Sequence, residues 1–224
     1  MSKRRSMLVK SFSGSLISPS QDLRDDVSWK SLYLFPKVLL VYGMKTYLEI
    51  RVPINYNDSW FEELRSHFAG MPVRWQKDFY HITMVFINDT PMDIDMCPLL
   101  ERHLATAQAP VITFDQLDAF SIKSGRHIIH LSTSHVPEDF LALTESICAD
   151  MKAIGCVILS DFMLHVTLGR VNSFDVELSE VKEIMGAVSF PSITLTLTDV
   201  DYRVFRGRTI YETQLKGKDK DICD

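Results

Sequence analysis

Two heptapeptides decide how this chain reads: Tyr80-His81-Ile82-Thr83-Met84-Val85-Phe86 and Leu164-His165-Val166-Thr167-Leu168-Gly169-Arg170. Each is apolar and strand-like, and each carries His-x-Thr. Side chains alternate along a strand, so His and Thr at i and i+2 share one face. Ile82, Met84, Val166 and Leu168 fall on the other face and are oily. The pattern predicts a polar cleft laid over an apolar core, built once in each half of the chain. Random placement at this composition gives about 0.4 His-x-Thr per chain. Two of them, in matched strands, point to a shared purpose.

Paired histidines suit phosphodiester chemistry. Cleaving a phosphodiester or a cyclic phosphate needs a base for the attacking oxygen and an acid for the leaving one. Histidine titrates near pH ~6.5, so one ring can be neutral while the other is charged. Each role is worth roughly 10²–10⁴-fold in rate. The threonine hydroxyls can donate to the non-bridging phosphate oxygens, where charge builds in the transition state. The sequence alone leaves open which histidine is acid and which is base.

Outward from the motifs, strands and helices alternate. Thr46 to Val52 reads as a half-buried strand. Asn57 or Asp58 can cap a helix that Gly70 ends, and Pro98 suits the first turn of a helix to about Ala107. Val111 to Ile122 and His127 to Ser132 read as strands around a Lys123–Arg126 turn. Pro137 opens a helix closed by Gly155, and Asp175 can cap another through Met185. Ile193 to Phe205 and Thr209 to Leu215 read as a last hairpin across Arg206-Gly207-Arg208.

Composition bounds the rest. The 224 residues are 46% hydrophobic and 24% charged, which excludes a disordered chain or a disulfide-dense miniprotein. No stretch reaches the roughly 18 unbroken apolar residues of a membrane span; Leu32 to Tyr42 is broken by Pro36 and Lys37. Cys97, Cys148, Cys156 and Cys223 show no metal spacing and read as reduced thiols. A cytoplasmic location is the expectation. The formal charge of −5 is unevenly spread: residues 1–43 hold seven basic and three acidic residues, leaving −9 on residues 44–224. That body is a poor platform for long nucleic acid, whose binding needs many phosphate contacts. Residues 1–43 read as a basic extension, flexible at least to residue 31, and the first 21 residues contain no acid, as in a transit peptide or a plain tail. Met44 reads as a natural start running into a strand, and Lys216 to Asp224 as a charged tail.

The paired motifs resemble the 2H phosphoesterase superfamily, whose members carry two H-x-[ST] motifs each followed by a hydrophobic residue. The branch most similar in pattern is that of the 2′-5′ RNA ligase-like proteins, which include RNA 2′,3′-cyclic phosphodiesterases. The resemblance runs over residues 44–215: Met44 to Pro53 as an opening strand, Val73-Arg74-Trp75 with His81 to Phe86 as the first block, Leu164 to Arg170 as the second, and Gly207 to Tyr211 in the final hairpin. It departs at Leu164, where the family often has Pro, and at Met84, where Leu is usual. The resemblance implies an α+β fold of two pseudo-symmetric lobes, each an antiparallel sheet with outer helices, around a central cleft. It implies a metal-independent hydrolase without cofactor, with His81, Thr83, His165 and Thr167 as the catalytic set. The leading reaction is hydrolysis of 2′,3′-cyclic phosphate RNA or nucleotide ends. Cleavage of 2′-5′-linked or cyclic oligonucleotide signals, 2′-5′ RNA ligation, and a non-catalytic nucleotide-binding module are the alternatives. The expected partners are RNA ends or small nucleotides, with no membrane, and the protein is expected to be a monomer.

Further residues are candidates for binding. Arg170 can fork onto phosphate. His130, in a third H-x-[ST] (His130-Leu131-Ser132), lies on a strand face that can line the groove. Tyr80, with Phe79 and Trp75, can stack a base, and Arg203, Arg206 and Arg208 can steer a nucleotide. No metal site is expected, since neither motif histidine has a carboxylate at ligand spacing.

Overall fold

The computed structural model describes residues 43–173 and 175–217. Most of the expected extension and tail, Cys223 included, lies outside them. The described chain runs β1 (Met44–Arg51), α1 (Ser59–His67), β2 (Val73–Trp75), β3 (His81–Thr90), α2 (Cys97–Leu104), β4 (Val111–Phe114), β5 (Gln116–Ser121), β6 (His127–Ser132), α3 (Glu138–Ala153), β7 (Val166–Val171), α4 (Leu178–Gly186), β8 (Ile193–Thr196), β9 (Asp199–Val204) and β10 (Thr209–Gln214). This is an α+β fold with antiparallel sheets and four helices among the described residues.

The main sheet has the order β10-β9-β1-β3-β7-β6-β5, with β2 added on β7, and β4 pairs with β8 in a small second sheet. The family resemblance implies two lobes, each with an antiparallel sheet of its own. Instead the halves join where β3 meets β7, through the pair Ile82↔Val166. Both residues are fully buried. The apolar middle residues of the two H-x-T motifs thus stitch the sheet, and the polar faces of both motifs merge on one side.

The core lies on the opposite side. Leu48, Ile50, Ile82, Met84, Val166 and Leu168 are buried there with the apolar faces of the helices, such as Phe61, Leu64, Ile147 and Val181. A buried chain of hydroxyls, Tyr202 Oη to Thr46 Oγ1 at 2.9 Å and Thr46 Oγ1 to Thr90 Oγ1 at 2.7 Å, satisfies the polar groups beneath β1.

Two expected long strands break. Val111–Ile122 divides at Asp115, whose carboxylate accepts from the Ser134 backbone N at 2.7 Å and from the Ser134 hydroxyl. Ile193–Phe205 divides at Thr198-Asp199, where the threonine hydroxyl donates to the aspartate at 2.8 Å. Local side-chain bonds compete with the ladder at both corners. They free β4 and β8 to pair with each other.

Candidate active site

Both motif strands carry a bulge at the same place. Leu48 pairs with Val85 but Glu49 with Thr83, so Met84 is the extra residue of β3. His130 pairs with Thr167 but Ile129 with Gly169, so Leu168 is the extra residue of β7. Each bulge falls on the hydrophobic residue that follows the threonine. A bulge resets alternation and re-aims the side chains beyond it. On β7 it returns Arg170 to the side of His165 and Thr167, and the three line one cavity of about 410 Å³ with Thr83 and Phe120. Antiparallel running through Ile82↔Val166 sets His81 across from Thr167, and Thr83 across from His165. The structure therefore sets the four motif residues along one side of the β3–β7 seam, with Thr83, His165 and Thr167, but not His81, lining the cavity.

The two imidazoles are held alike. His81 Nδ1 lies 3.1 Å from the Phe79 carbonyl, and His165 Nδ1 lies 2.9 Å from the Met163 carbonyl. A carbonyl only accepts, so Nδ1 carries the proton in each ring, and Nε2 is left for a substrate. A neutral ring can then accept a proton at Nε2, and a charged one can give it. Burial lowers the pKa of His165, against the pull of the Met163 carbonyl and together with the charges of His81 and Arg170.

The surroundings of the pair differ. Beside His81 lies a charged group. Glu49 Oε2 is 3.3 Å from its Nδ1, Arg203 reaches Glu49 Oε1 at 3.3 Å, and Arg51 Nε donates to Asp201 at 2.6 Å. Beside His165 stand two rings, Phe120 at 5.5 Å and His130 at 5.8 Å, both edge-on. His130 is 6% exposed. Burial, with the nearby His165 adding to it, pushes His130 down to about 4. Arg170 sits opposite Arg74 across the β2–β7 ladder. Burial and the charges of Arg74 and Arg206 lower its pKa, marking a patch that would welcome an anion.

Tyr80, expected to stack a base, lines the cleft beside Phe79 but is mostly buried. Alternation turns it away from His81, and it is 4% exposed. Its hydroxyl donates to the Gln76 carbonyl at 2.6 Å, its ring meets Phe61 edge-on at 6.0 Å, and burial raises its pKa. Trp75 is likewise packed, edge-on to Phe61 and Phe68, both at 5.7 Å. The aromatic ring that reaches solvent beside the motif is Phe79, 64% exposed. Its φ of 57° is unusual for a bulky residue. It borders a cleft of about 970 Å³ with Arg51, Tyr56 and Lys77.

Sequence reasoning missed Glu49, and its strand offers one signal. Tyr47, Glu49 and Arg51 alternate with Leu48 and Ile50, which places the glutamate on the cleft face. Among the described residues, no cluster of three or more His, Cys, Asp or Glu side chains could hold a metal ion. No described helix is long and apolar enough to cross a membrane.

No family model matches the chain, and no match is found among curated proteins. Solved structures are similar to it. Escherichia coli LigT complexed with 3′-AMP is 20% identical at a TM-score of 0.49, covering 77% of this chain and 95% of that one. The Thermus thermophilus protein TT0787 is 14% identical at 0.49, covering 78% and 100%. Kluyveromyces marxianus Usb1 is 9% identical at a TM-score of 0.56, again covering 78% of this chain and 100% of that one. On the likeness to Usb1, the chain shares the fold of that structure.

Proposed function

We propose that the chain is a 2H-type phosphoesterase acting on nucleotide or RNA ends, with hydrolysis of a 2′,3′-cyclic phosphate as its leading reaction. One observation carries this reading: two H-x-T motifs on equivalently bulged strands, each histidine tied through Nδ1 to a carbonyl two residues earlier. In this reading one histidine Nε2 takes a proton from the attacking water and the other gives one to the leaving oxygen. Thr83 and Thr167 donate to the non-bridging oxygens, and Arg170 stabilises the charge gathered there. The halves of the sheet on either side of Ile82↔Val166 act as the two lobes of the cleft. Cys97, Cys148 and Cys156 are free thiols, which suits a reducing compartment, and we keep a cytoplasmic monomer as the working form.

A second reading is favoured by the cleft of about 970 Å³ beside the first motif. It has room for a second nucleoside, which suits cleavage of a 2′-5′-linked oligonucleotide.

The test is turnover in EDTA by wild type, His81→Ala and His165→Ala. The substrates are an oligonucleotide ending in a 2′,3′-cyclic phosphate, a 2′-5′-linked oligoadenylate and a 3′-5′ control. The expected result is activity in wild type that survives EDTA and falls roughly 10²–10⁴-fold in either variant. Activity that EDTA abolishes, or that both variants retain, would sink the proposal. Binding without turnover would instead describe a nucleotide-binding module.

A further inference from the structure

The two motifs share one geometry, but the residues that face them do not match. Glu49 on β1 pairs with Thr83, and His130 on β6 pairs with Thr167. Each lies on the strand flanking its motif, and each pairing adjoins the bulge. The two positions are therefore equivalent in the fold. Both side chains are buried, Glu49 at 2% and His130 at 6% exposure. Each keeps one buried polar atom without a hydrogen-bond partner, Glu49 Oε2 and His130 Nδ1. The third such atom among the described residues, Arg203 Nε, belongs to the guanidinium that pairs with Glu49. An unmet buried polar group costs stability, so its recurrence at equivalent positions beside the reacting rings asks for a reason.

The chemistry of the two positions is opposite. A carboxylate oxygen lies 3.3 Å from His81 Nδ1 and brings negative charge to that side of the cleft. An imidazole edge-on to His165 at 5.8 Å offers no negative charge. We propose that Glu49 and His130 are positioning residues that divide the work of the pair: His81, held against Glu49, protonates the leaving oxygen, and His165, packed against His130, accepts the proton of the attacking hydroxyl or water. This rests on reading the H-x-T pair as acid and base.

The step balances without a further reactant. The attacking oxygen forms its bond to phosphorus and passes its proton to His165 Nε2. The bond from phosphorus to the leaving oxygen breaks, and that oxygen takes the proton of His81 Nε2. Exchange with solvent returns both rings to their starting states. The lowered pKa of His165 and the value of about 4 at His130 agree with a neutral β7 side at working pH. The groups facing His81 are Glu49, Arg51 and Tyr47 from β1, Arg203 and Asp201 from β9, and His165 across the cleft. Those facing His165 are His81 across the cleft, His130 from β6, Arg170 from β7, Asp161 from the segment before β7, which lines the same cavity, and, behind His130, Asp118 of β5 with Lys182 of α4 at 2.9 Å.

Two esters of one nucleoside separate acid from base. Uridylyl-2′,5′-adenosine must protonate its leaving alkoxide, whereas uridine 2′-(4-nitrophenyl phosphate) releases a phenolate that needs no proton. His81→Ala and Glu49→Gln are expected to lose about 10²-fold and about 10-fold on the first ester, and to come within about twofold of wild type on the second. His165→Ala is expected to lose about 10²-fold on both. The reverse pattern, with His165→Ala recovering on the nitrophenyl ester, would overturn the assignment. Equal loss by Glu49→Gln on both esters would reduce Glu49 to a structural role. Full activity of both alanine variants on both esters would instead remove the underlying acid–base reading. Histidine-ring ¹⁵N titrations of the ligand-free protein read the coupling without turnover. Glu49→Gln is expected to displace the midpoint of His81 more than that of His165, and equal or absent displacement would count against the proposal.

Discussion

At the scale of single residues, Phe79 and His130 hold opposite kinds of tension. Phe79 keeps a left-handed backbone at φ 57° while its carbonyl receives His81 Nδ1 and its ring stands in solvent. Such a conformation costs a bulky residue on the order of 1 kcal/mol or more, and glycine is spared that cost. Phe79→Gly is therefore expected to leave the melting temperature unchanged or higher. If the ring stacks a base, the same variant raises KM about tenfold with little change in kcat. A calorimetric scan and a Michaelis–Menten series check the two halves, and a lowered KM would refute the stacking role. His130 stores its tension in protonation. Burial pushes it down to about 4, and His165 is lowered as well. The unfolded chain then binds more protons than the fold between about pH 6.5 and about pH 4. Stability is expected to be full above pH ~6.5 and to fall as the pH drops through that window, by on the order of 3 kcal/mol for His130. His130→Phe is expected to flatten this fall, read by denaturant melts across the window. An unchanged slope would show that His130 does not carry it.

Elements explain why the site was only partly legible. The H-x-T strands announce themselves because alternation is local: His81 and Thr83 share a face whatever β3 pairs with. Arg170 does not follow from alternation, which would turn it away from Thr167; the bulge at Leu168 brings it back. Glu49 and His130 are ordinary residues of amphipathic strands until β1 and β6 dock beside the motifs, so their burial is a tertiary fact. Periodicity and capping reveal the helices with ends shifted by a few residues, as at α4, where Glu177 rather than Asp175 is the N-cap. The β4–β8 pairing was hidden because nothing local says where a long strand leaves its sheet. The bulged element also leaves no room for added atoms. A Cβ on Gly169 would lie 2.7 Å from the Trp75 ring, which packs between Phe61 and Phe68. Gly169→Ala is expected to cost about 1–3 kcal/mol of stability, because a ring fixed on both sides cannot withdraw. Chemical denaturation would show it, and a variant as stable as wild type would mean that β2 is looser than its packing indicates.

For the whole molecule, the question is where the working unit begins and ends. The main sheet lies between Met44 and Gln214, and β1 sits inside it between β3 and β9, so its strand must be present for the halves to join. We propose that residues 1–31 are dispensable for folding and catalysis, on the ground that every strand and helix of the described chain starts after them. The other end is less forgiving. Lys216 N donates to the Ala107 carbonyl at 3.0 Å, and the Ala109 N donates to the Lys216 carbonyl at 2.7 Å. This bridge pins the exit of β10 to the segment between α2 and β4, and Leu215 beside it is buried. A chain of residues 32–217 is expected to match the full chain in melting temperature and turnover. A chain of residues 32–214 loses both backbone bonds and the buried leucine, at a cost of about 3 kcal/mol or more. Parallel thermal melts and rate measurements on the two truncations decide the matter. A fall in both quantities for residues 32–217 would make the first 31 residues part of the working unit, and equal stability of the two would show that the Lys216 bridge holds nothing in place.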